Sequence, residues 1–539
     1  MKKVETLIIG SGVVAAALSK RLLEKNPNMS ILILEAGSRW KTKDFGVWTD
    51  WVATGNDPIA PNSGNPMYDH AYPDRNNYIW GENASVGQTQ MPLEGGRAMV
   101  YGGSTVVWGG WSLRRKPEDF YLYTNTGQGL DWLFNYDELE PYYCQSEDYL
   151  AVSGDSKDEL PVMWRSQPYP FHAFPYQLQD QPVGEALQSL GYNYMHMPIA
   201  RRGVSNIPSR HAQCQTTGTC DYCPFGARFA ACDYMDDFRQ WNDLPNFDVR
   251  LGAVVLELRM SSKRRVAGVT YRDTASGEIV EVDADRVIVA AGTLESPKLL
   301  LRSKSRYWQN GVGNDTDNVG RYLITHPYVL YSGELAKNPL RLQPEMDFPT
   351  LMTRYFDSPE EQAKGKYVLV NISPSVELSY SSMMQAGWTR KEIDKAIPGP
   401  WPFQIHSMIE IFGEHKNHIS NLERLSHLGM HQSRVDFTAP STYNDRVAEV
   451  GNVVASVMEK MGGKMTSYMT SWRCDHAAST CRMSKDPKDG VVDGDLRVHG
   501  VDNLYVCSNA VFPNLGAINP TVTVTAIAFR LGDHLNSAA

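Results

Sequence analysis

Residues 4–37 constrain this chain more than any other stretch. Val4 to Ile9 is a short apolar run, mostly β-branched, that suits a buried parallel strand. Gly10-Ser11-Gly12-Val13-Val14-Ala15 follows, then a helical pattern through Leu18, Leu22 and Leu23. A second apolar run, Ile31 to Leu34, ends in Glu35-Ala36-Gly37. The order is strand, glycine turn, helix, strand, acid, which is the βαβ unit that binds a dinucleotide. Gly10 permits the tight turn, Gly12 lets backbone approach a pyrophosphate, and Ala15 takes the small position where helix and strand pack. The helix N-terminus supplies free N–H groups and a positive dipole end for phosphates. Glu35 can accept from ribose hydroxyls, which disfavours a 2′-phosphate. The unit alone does not choose between FAD and NAD, and a tight turn without ligand is the plainer alternative.

A chain of 539 residues needs more than one simple core, so two large domains are expected, or one with a sizeable insertion. The net charge is −9 and no long basic run occurs. Nucleic acid is therefore an unsuitable partner, because phosphates are neutralised by clustered Lys and Arg. Lys263-Arg264-Arg265 reads as a solvated hairpin turn. No apolar stretch reaches the roughly 20 residues needed to span a bilayer. Met1-Lys2-Lys3-Val4 enters a strand at once, so the chain is expected to carry no signal peptide of its own. A cytoplasmic place of synthesis follows.

Further signals lie along the chain. Gly95-Gly96-Arg97 and Gly102-Gly103-Ser104-Thr105 crowd glycines into a short span, as expected where backbone lies against a flat or anionic ligand. A plain glycine-rich loop is the alternative. Val254 to Leu258 and Val266 to Tyr271 read as a hairpin. Asp285 to Gly292 reads as another buried strand ending in small residues, Ala290-Ala291-Gly292, before a helix at Ser296 to Leu300. Near the C-terminus come His476-Ala477-Ala478-Ser479-Thr480-Cys481, then Leu504-Tyr505-Val506, Ser508-Asn509-Ala510 and Asn519-Pro520-Thr521, with a final helix from about Thr523.

These segments, in this order, resemble the glucose–methanol–choline (GMC) oxidoreductase family. The resemblance runs end to end and is weakest from about 330 to 440. It implies an α/β fold: a Rossmann-like FAD-binding domain plus an α+β substrate domain with an antiparallel sheet. The FAD-binding domain would comprise 1–50, 85–125, 205–330 and 465–539. The substrate domain and surface insertions would take 51–84, 126–204 and 331–464. The implied flavin site holds Gly10, Gly12, Ala15, Glu35, Ala36, Arg97, Gly102, Gly103, Ser104, Val254, Ala291, Gly292, Asn509, Ala510, Asn519, Pro520 and Thr521. Some relatives bind flavin covalently through a histidine; this chain has Ser104-Thr105-Val106-Val107 at that loop, so non-covalent FAD is expected. His476 and Asn519 fall on the two catalytic positions. A neutral imidazole suits acceptance of a hydroxyl proton. An amide can hold the substrate oxygen without titrating. A satisfied buried histidine and a helix cap are the plainer readings of these two residues.

Four of the eight cysteines fall between 214 and 232: Cys214, Cys220, Cys223 and Cys232. Disulfides, tetrahedral zinc and an iron–sulfur cluster all fit such spacing. Cys214, Cys220 and Cys223-Pro224-Phe225-Gly226-Ala227 resemble the iron–sulfur branch of the family, the catalytic subunits of bacterial FAD-dependent glucose, gluconate, fructose and glucoside 3-dehydrogenases. That branch implies a 3Fe–4S cluster on three cysteines; Cys232 as a fourth ligand would give 4Fe–4S. It also implies a dehydrogenase acting on a sugar or glycoside, at C3 of glucosides in the leading reading. A small companion subunit with a twin-arginine signal would carry the complex to the periplasm, and a c-type cytochrome would take the electrons. Glu410, Asp475 and Asn371 are the candidate substrate residues. An oxygen-using sugar oxidase, an NAD enzyme and a zinc-stapled binding protein are the rival readings.

Overall fold

Parallel pairing of Lys3–Ile9 organises the first layer. This strand lies between Ile31–Leu34 and Ile279–Val289. Phe247–Arg250 extends the parallel ladder on one side and Leu504–Val506 joins Ile279–Val289 on the other. The hairpin of Ala253–Ser262 and Arg265–Asp273 completes the seven strands. All four side chains of Ile31–Leu34 are buried, as a sheet covered on both faces requires. The computed structural model describes residues 3–55, 58, 85–93, 97–158, 163–203, 212–217, 219, 220, 222–336, 348–372, 383, 384, 386–396, 400–426 and 428–537. The expected contributions of Gly95 and Gly96 lie outside these, as does most of 51–84.

The two ends of the chain meet on this sheet. Helix Val13–Lys25 lies against the C-terminal helix Thr521–Ser537. Gly532 makes the crossing close, since a Cβ there would sit 2.7 Å from Arg21 Cγ. The Arg21 guanidinium grips Asp533 through two hydrogen bonds of 2.7 and 2.8 Å. The dinucleotide turn and the start of the last helix are thereby brought together.

The helix expected at Ser296 to Leu300 begins earlier, spanning Gly292–Arg302. Pro297 cannot donate to the Thr293 carbonyl. The hydroxyl of Thr480 fills that place at 2.6 Å, and Thr293 Oγ1 donates to the Ala477 carbonyl at 2.7 Å. A proline inside a helix thus clamps the His476 segment beside the cofactor strand.

The second layer is a six-stranded sheet in the order Gly463–Trp472, Pro327–Leu335, Trp401–Ile409, Tyr367–Ile372, Leu351–Thr353 and Met195–His196, antiparallel throughout. Met352, Val368, Val370 and Met408 on this sheet pack with Leu113, Ala517 and Ile518. The sheet therefore roofs the segment that ends in Asn519. The domain boundaries expected at 330 and 465 fall inside two of these strands. Their ladder runs from Pro327 opposite Trp472 to Leu335 opposite Gly463. Among the described residues no helix is long and apolar enough to cross a membrane.

Candidate active site

A cavity of about 520 Å³ runs between the two layers. One end is glycine-built. Gly10 has φ +96°, and a Cβ there would lie 2.7 Å from the Ala290 carbonyl oxygen. Gly103 has φ +57°, with room for a Cβ only 3.1 Å from Gly12 Cα. The two glycine loops and the Ala290 strand end thus form one continuous backbone wall. Ser11 joins them, accepting from Gly102 N at 3.1 Å and donating to Glu35 at 2.6 Å. Glu35 also accepts from Ser11 N (2.9 Å) and Gly37 N (2.8 Å). Burial pushes its carboxyl up from the usual range, against these hydrogen bonds. Carboxylate oxygens keep further lone pairs for a ribose edge.

Gly10, Gly12, Glu35, Ala36, Arg97, Gly103, Ser104, Val254, Ala291, Gly292, Asn509, Asn519, Pro520 and Thr521 all line the cavity. Ala15, Gly102 and Ala510 do not; they form its supporting layer. Ala15 and Ala510 are fully buried, and Gly102 backs onto Cys232. Arg97 pairs with Glu295, which also binds Lys298 at 2.6 Å and lies 3.5 Å from Arg302. These cations hold the buried Glu295 carboxyl well below its usual range.

A Gly10→Val variant tests the cradle. Its backbone conformation costs a β-branched residue of order 1–3 kcal/mol before any clash. The expected result is protein purified without flavin and a lowered melting temperature. Full flavin occupancy would show that the ligand lies elsewhere.

At the other end His476 and Asn519 come together, with Asn519 Nδ2 3.1 Å from His476 Nε2. His476 Nδ1 lies 3.0 Å from His326 Nδ1, and the Tyr328 hydroxyl is 3.0 Å from both His476 nitrogens. Burial, then Arg473 and His406, push His476 down to about 3, so its imidazole is neutral at ordinary pH. Asn519 Oδ1 and Asp475 Oδ1 are buried without a hydrogen-bond partner. Asp475 lines the cavity beside Arg473, 3.4 Å away, and burial raises its carboxyl.

The family models for GMC oxidoreductases match residues 4–328 with their N-terminal part and 429–528 with their C-terminal part. The chain belongs to the GMC oxidoreductase family. It is 26% identical to the fructose dehydrogenase large subunit of Gluconobacter japonicus over 98% of this chain and 97% of that one. It is 27% identical to 6'''-hydroxyparomomycin C oxidase of Streptomyces lividus over 80% of this chain and 77% of that one. In fold it resembles pyridoxine 4-oxidase from Mesorbium loti, with TM-score 0.65, 19% identity and coverage of 98% and 99%. The glycine cradle, the buried acid and the cavity that joins them to His476 fit the FAD that this family implies. His476 is the one histidine among the described residues lining the cavity.

Two expected substrate residues of this GMC oxidoreductase do not face the cavity. Asn371 lies on the other side of the pleat from Val368 and Val370, and its amide donates to Asp180 at 2.5 Å. Glu410 ends the strand Trp401–Ile409 and turns behind the catalytic segment. It accepts from Gly516 N at 3.0 Å. Burial and nearby Asp119 push its carboxyl up to about 7, opposed by Lys366 and Arg115. Asp475 alone of the three lines the cavity. Tyr328, His326, Trp111 and Arg473 complete the reactive end and were not singled out from sequence.

The cysteines divide. Cys232 is buried in helix Ala231–Trp241 against Gly102, and burial pushes its thiol up to about 12. That is the setting of a core thiol rather than a fourth ligand. Cys214, Cys220 and Cys223 are half-buried, on segments that converge on Arg201-Arg202. Cys214 N donates to the Arg202 carbonyl (2.8 Å), Arg201 donates to Cys220 Sγ (2.7 Å), and Ala227, whose carbonyl binds Arg202 N, donates to Cys223 Sγ (3.3 Å). Among the described residues these thiols do not gather within the 4.8 Å mutual reach of single-ion ligands.

Proposed function

We propose that this GMC oxidoreductase is the catalytic subunit of an FAD-dependent sugar or glycoside dehydrogenase that passes its electrons through an iron–sulfur cluster to an external acceptor. FAD is held non-covalently, and the cluster is 3Fe–4S on Cys214, Cys220 and Cys223. The leading reaction is oxidation at C3 of glucosides, with glucose C1 and gluconate or polyol oxidation next. The C3 choice rests on the resemblance to the iron–sulfur branch. The sugar class is supported by the likeness to a fructose dehydrogenase large subunit. That relative being a large subunit also supports a companion subunit here. Export to the periplasm on that subunit's twin-arginine signal, with electrons passing to a c-type cytochrome, completes the proposal.

One observation carries the electron-relay reading. Arg228 donates to the Cys220 carbonyl (2.8 Å) and to the Val106 carbonyl (2.7 Å), and Trp108 of the cavity wall donates to the Phe229 carbonyl (2.9 Å). The cysteine segment is thus bonded directly to the wall of the flavin cavity. A relay needs that proximity; a remote staple would not.

When bound, the flavin accepts the hydride from the carbinol carbon and so carries both electrons. The chain supplies the remainder. His476 Nε2 takes the hydroxyl proton, and Asn519 Nδ2 donates to the substrate oxygen. Asp475 Oδ1, unpaired and beside Arg473, accepts from a neighbouring hydroxyl. The roof sheet excludes water.

An anaerobic absorption spectrum, with iron and zinc analysis, tests the reading. Flavin bands plus broad iron–sulfur absorbance are expected, bleached by a sugar and restored by a dye acceptor. Zinc in place of iron would remove the relay, and peroxide formation at full rate in air would favour an oxidase, the activity named for one relative.

A further inference from the structure

We propose that His326 is a positioning residue that locks His476 in the Nδ1–H tautomer and thereby aims the Nε2 lone pair at the substrate hydroxyl. The inference rests on His476 being the proton acceptor.

A series of hydrogen bonds runs from a backbone carbonyl out to His476. His326 Nε2 lies 2.7 Å from the Gly516 carbonyl oxygen. A carbonyl only accepts, so this nitrogen carries the proton. His326 is fully buried, and burial together with His476 pushes it down to about 3, so it is neutral. A neutral imidazole has one proton, and His326 Nδ1 is therefore a lone pair. That lone pair faces His476 Nδ1 at 3.0 Å, so the His476 nitrogen must donate. His476 is neutral too, which leaves Nε2 as its acceptor. Nε2 is the nitrogen that meets the Asn519 amide at 3.1 Å, and an amide nitrogen only donates. Every group in the series has one consistent assignment.

The carbonyl at the head of the series is itself fixed. Gly516 N donates to Glu410 Oε1, and Gly516 adopts φ +64°. Arg115 donates to the Asn514 and Leu515 carbonyls at 2.9 and 2.8 Å. Glu410 thus acts three steps behind the substrate, holding the turn that orients His326. The other groups facing His476 are Tyr328, whose burial keeps its hydroxyl protonated, and the paired Arg473 and Asp475. His406 stacks on the far side of Tyr328 at 4.8 Å.

This arrangement also serves the step itself. As the substrate O–H bond breaks, its proton would go to His476 Nε2, with bound FAD supplying the hydride acceptor. The resulting imidazolium keeps its Nδ1–H on the neutral His326 lone pair, so the new charge is met by a partner already in place.

Two variants separate orientation from packing. His326→Gln keeps a donor toward Gly516 and removes the acceptor toward His476. His326→Asn returns an amide oxygen near the Nδ1 position. The first is expected to lower the flavin-reduction rate constant by roughly 10²–10⁴ with substrate affinity little changed. The second is expected to recover most of that loss. A parallel readout needs no turnover: nitrogen-15 spectra of histidine-labelled holoenzyme, with His476→Ala identifying the resonance. Wild type should show His476 protonated at Nδ1 alone, and His326→Gln should show both tautomers. Protonation at Nε2 in wild type, or equal rates in His326→Gln and His326→Asn, would overturn the proposal. If no alcohol bleaches the wild-type flavin, the oxidoreductase reading fails while the spectra still decide the tautomer.

Discussion

His476→Ala is expected to leave flavin bound and to lower its reduction by sugar about 10²–10⁴-fold, the range of positioned acid–base groups. Flavin is retained because the cradle is built from Gly10, Gly12, Gly103 and the Ala290 strand end, on segments other than that of His476. Reduction falls because no other neutral base is placed to replace it. His326 is turned toward Gly516, and Asp475 keeps its unpaired oxygen beside Arg473. The pH profile sharpens the test. His476 is available as a base only while neutral, and burial has moved its titration down to about 3. The wild-type reduction rate should therefore stay flat from about pH 5 to 8 and fall only as pH drops toward that value. Stopped-flow reduction across this range measures both effects. Unchanged reduction in the Ala variant would place the proton acceptor elsewhere.

The flavin half of the molecule was legible because its signals are local. Strand, glycine turn, helix and acid lie within 34 residues of one another, and every contact between Gly10, Ser11 and Glu35 follows from that short span. His476 and Asn519 were legible only as motif positions, since the fold alone brings them to 3.1 Å. His326 escaped because its two bonds reach residues 150 and 190 positions away, and nothing local distinguishes Thr325-His326-Pro327 from a strand start. Glu410 and Asn371 were misplaced for a different reason. A carboxylate or amide in an apolar strand signals a polar task but not which face performs it. The pleat sends Asn371 to Asp180, and the strand end sends Glu410 to Gly516. Neither side chain lines the cavity.

Cys220→Ser is expected to uncouple the two half-reactions. Sugar should still bleach the flavin at the wild-type rate in a single turnover, because His476, Asn519 and the cradle lie on other segments. Steady-state turnover with a cytochrome or a large dye should fall to background, with loss of iron from the purified protein. Cys220 is the informative position because its thiol sits against the Arg201 guanidinium while its carbonyl is tied through Arg228 to Val106. The backbone tie makes this the ligand best coupled to the cavity wall. A serine keeps the size and the hydrogen bond to Arg201 and removes only the soft ligand, so a folding defect is not expected. Cys232→Ser, in the core against Gly102, should instead retain iron and turnover while lowering stability through a buried hydroxyl. The pair of variants thereby distinguishes a three-cysteine cluster from a four-cysteine one. Equal iron loss in both would make Cys232 a ligand, and retention of iron and turnover in Cys220→Ser would end the relay reading.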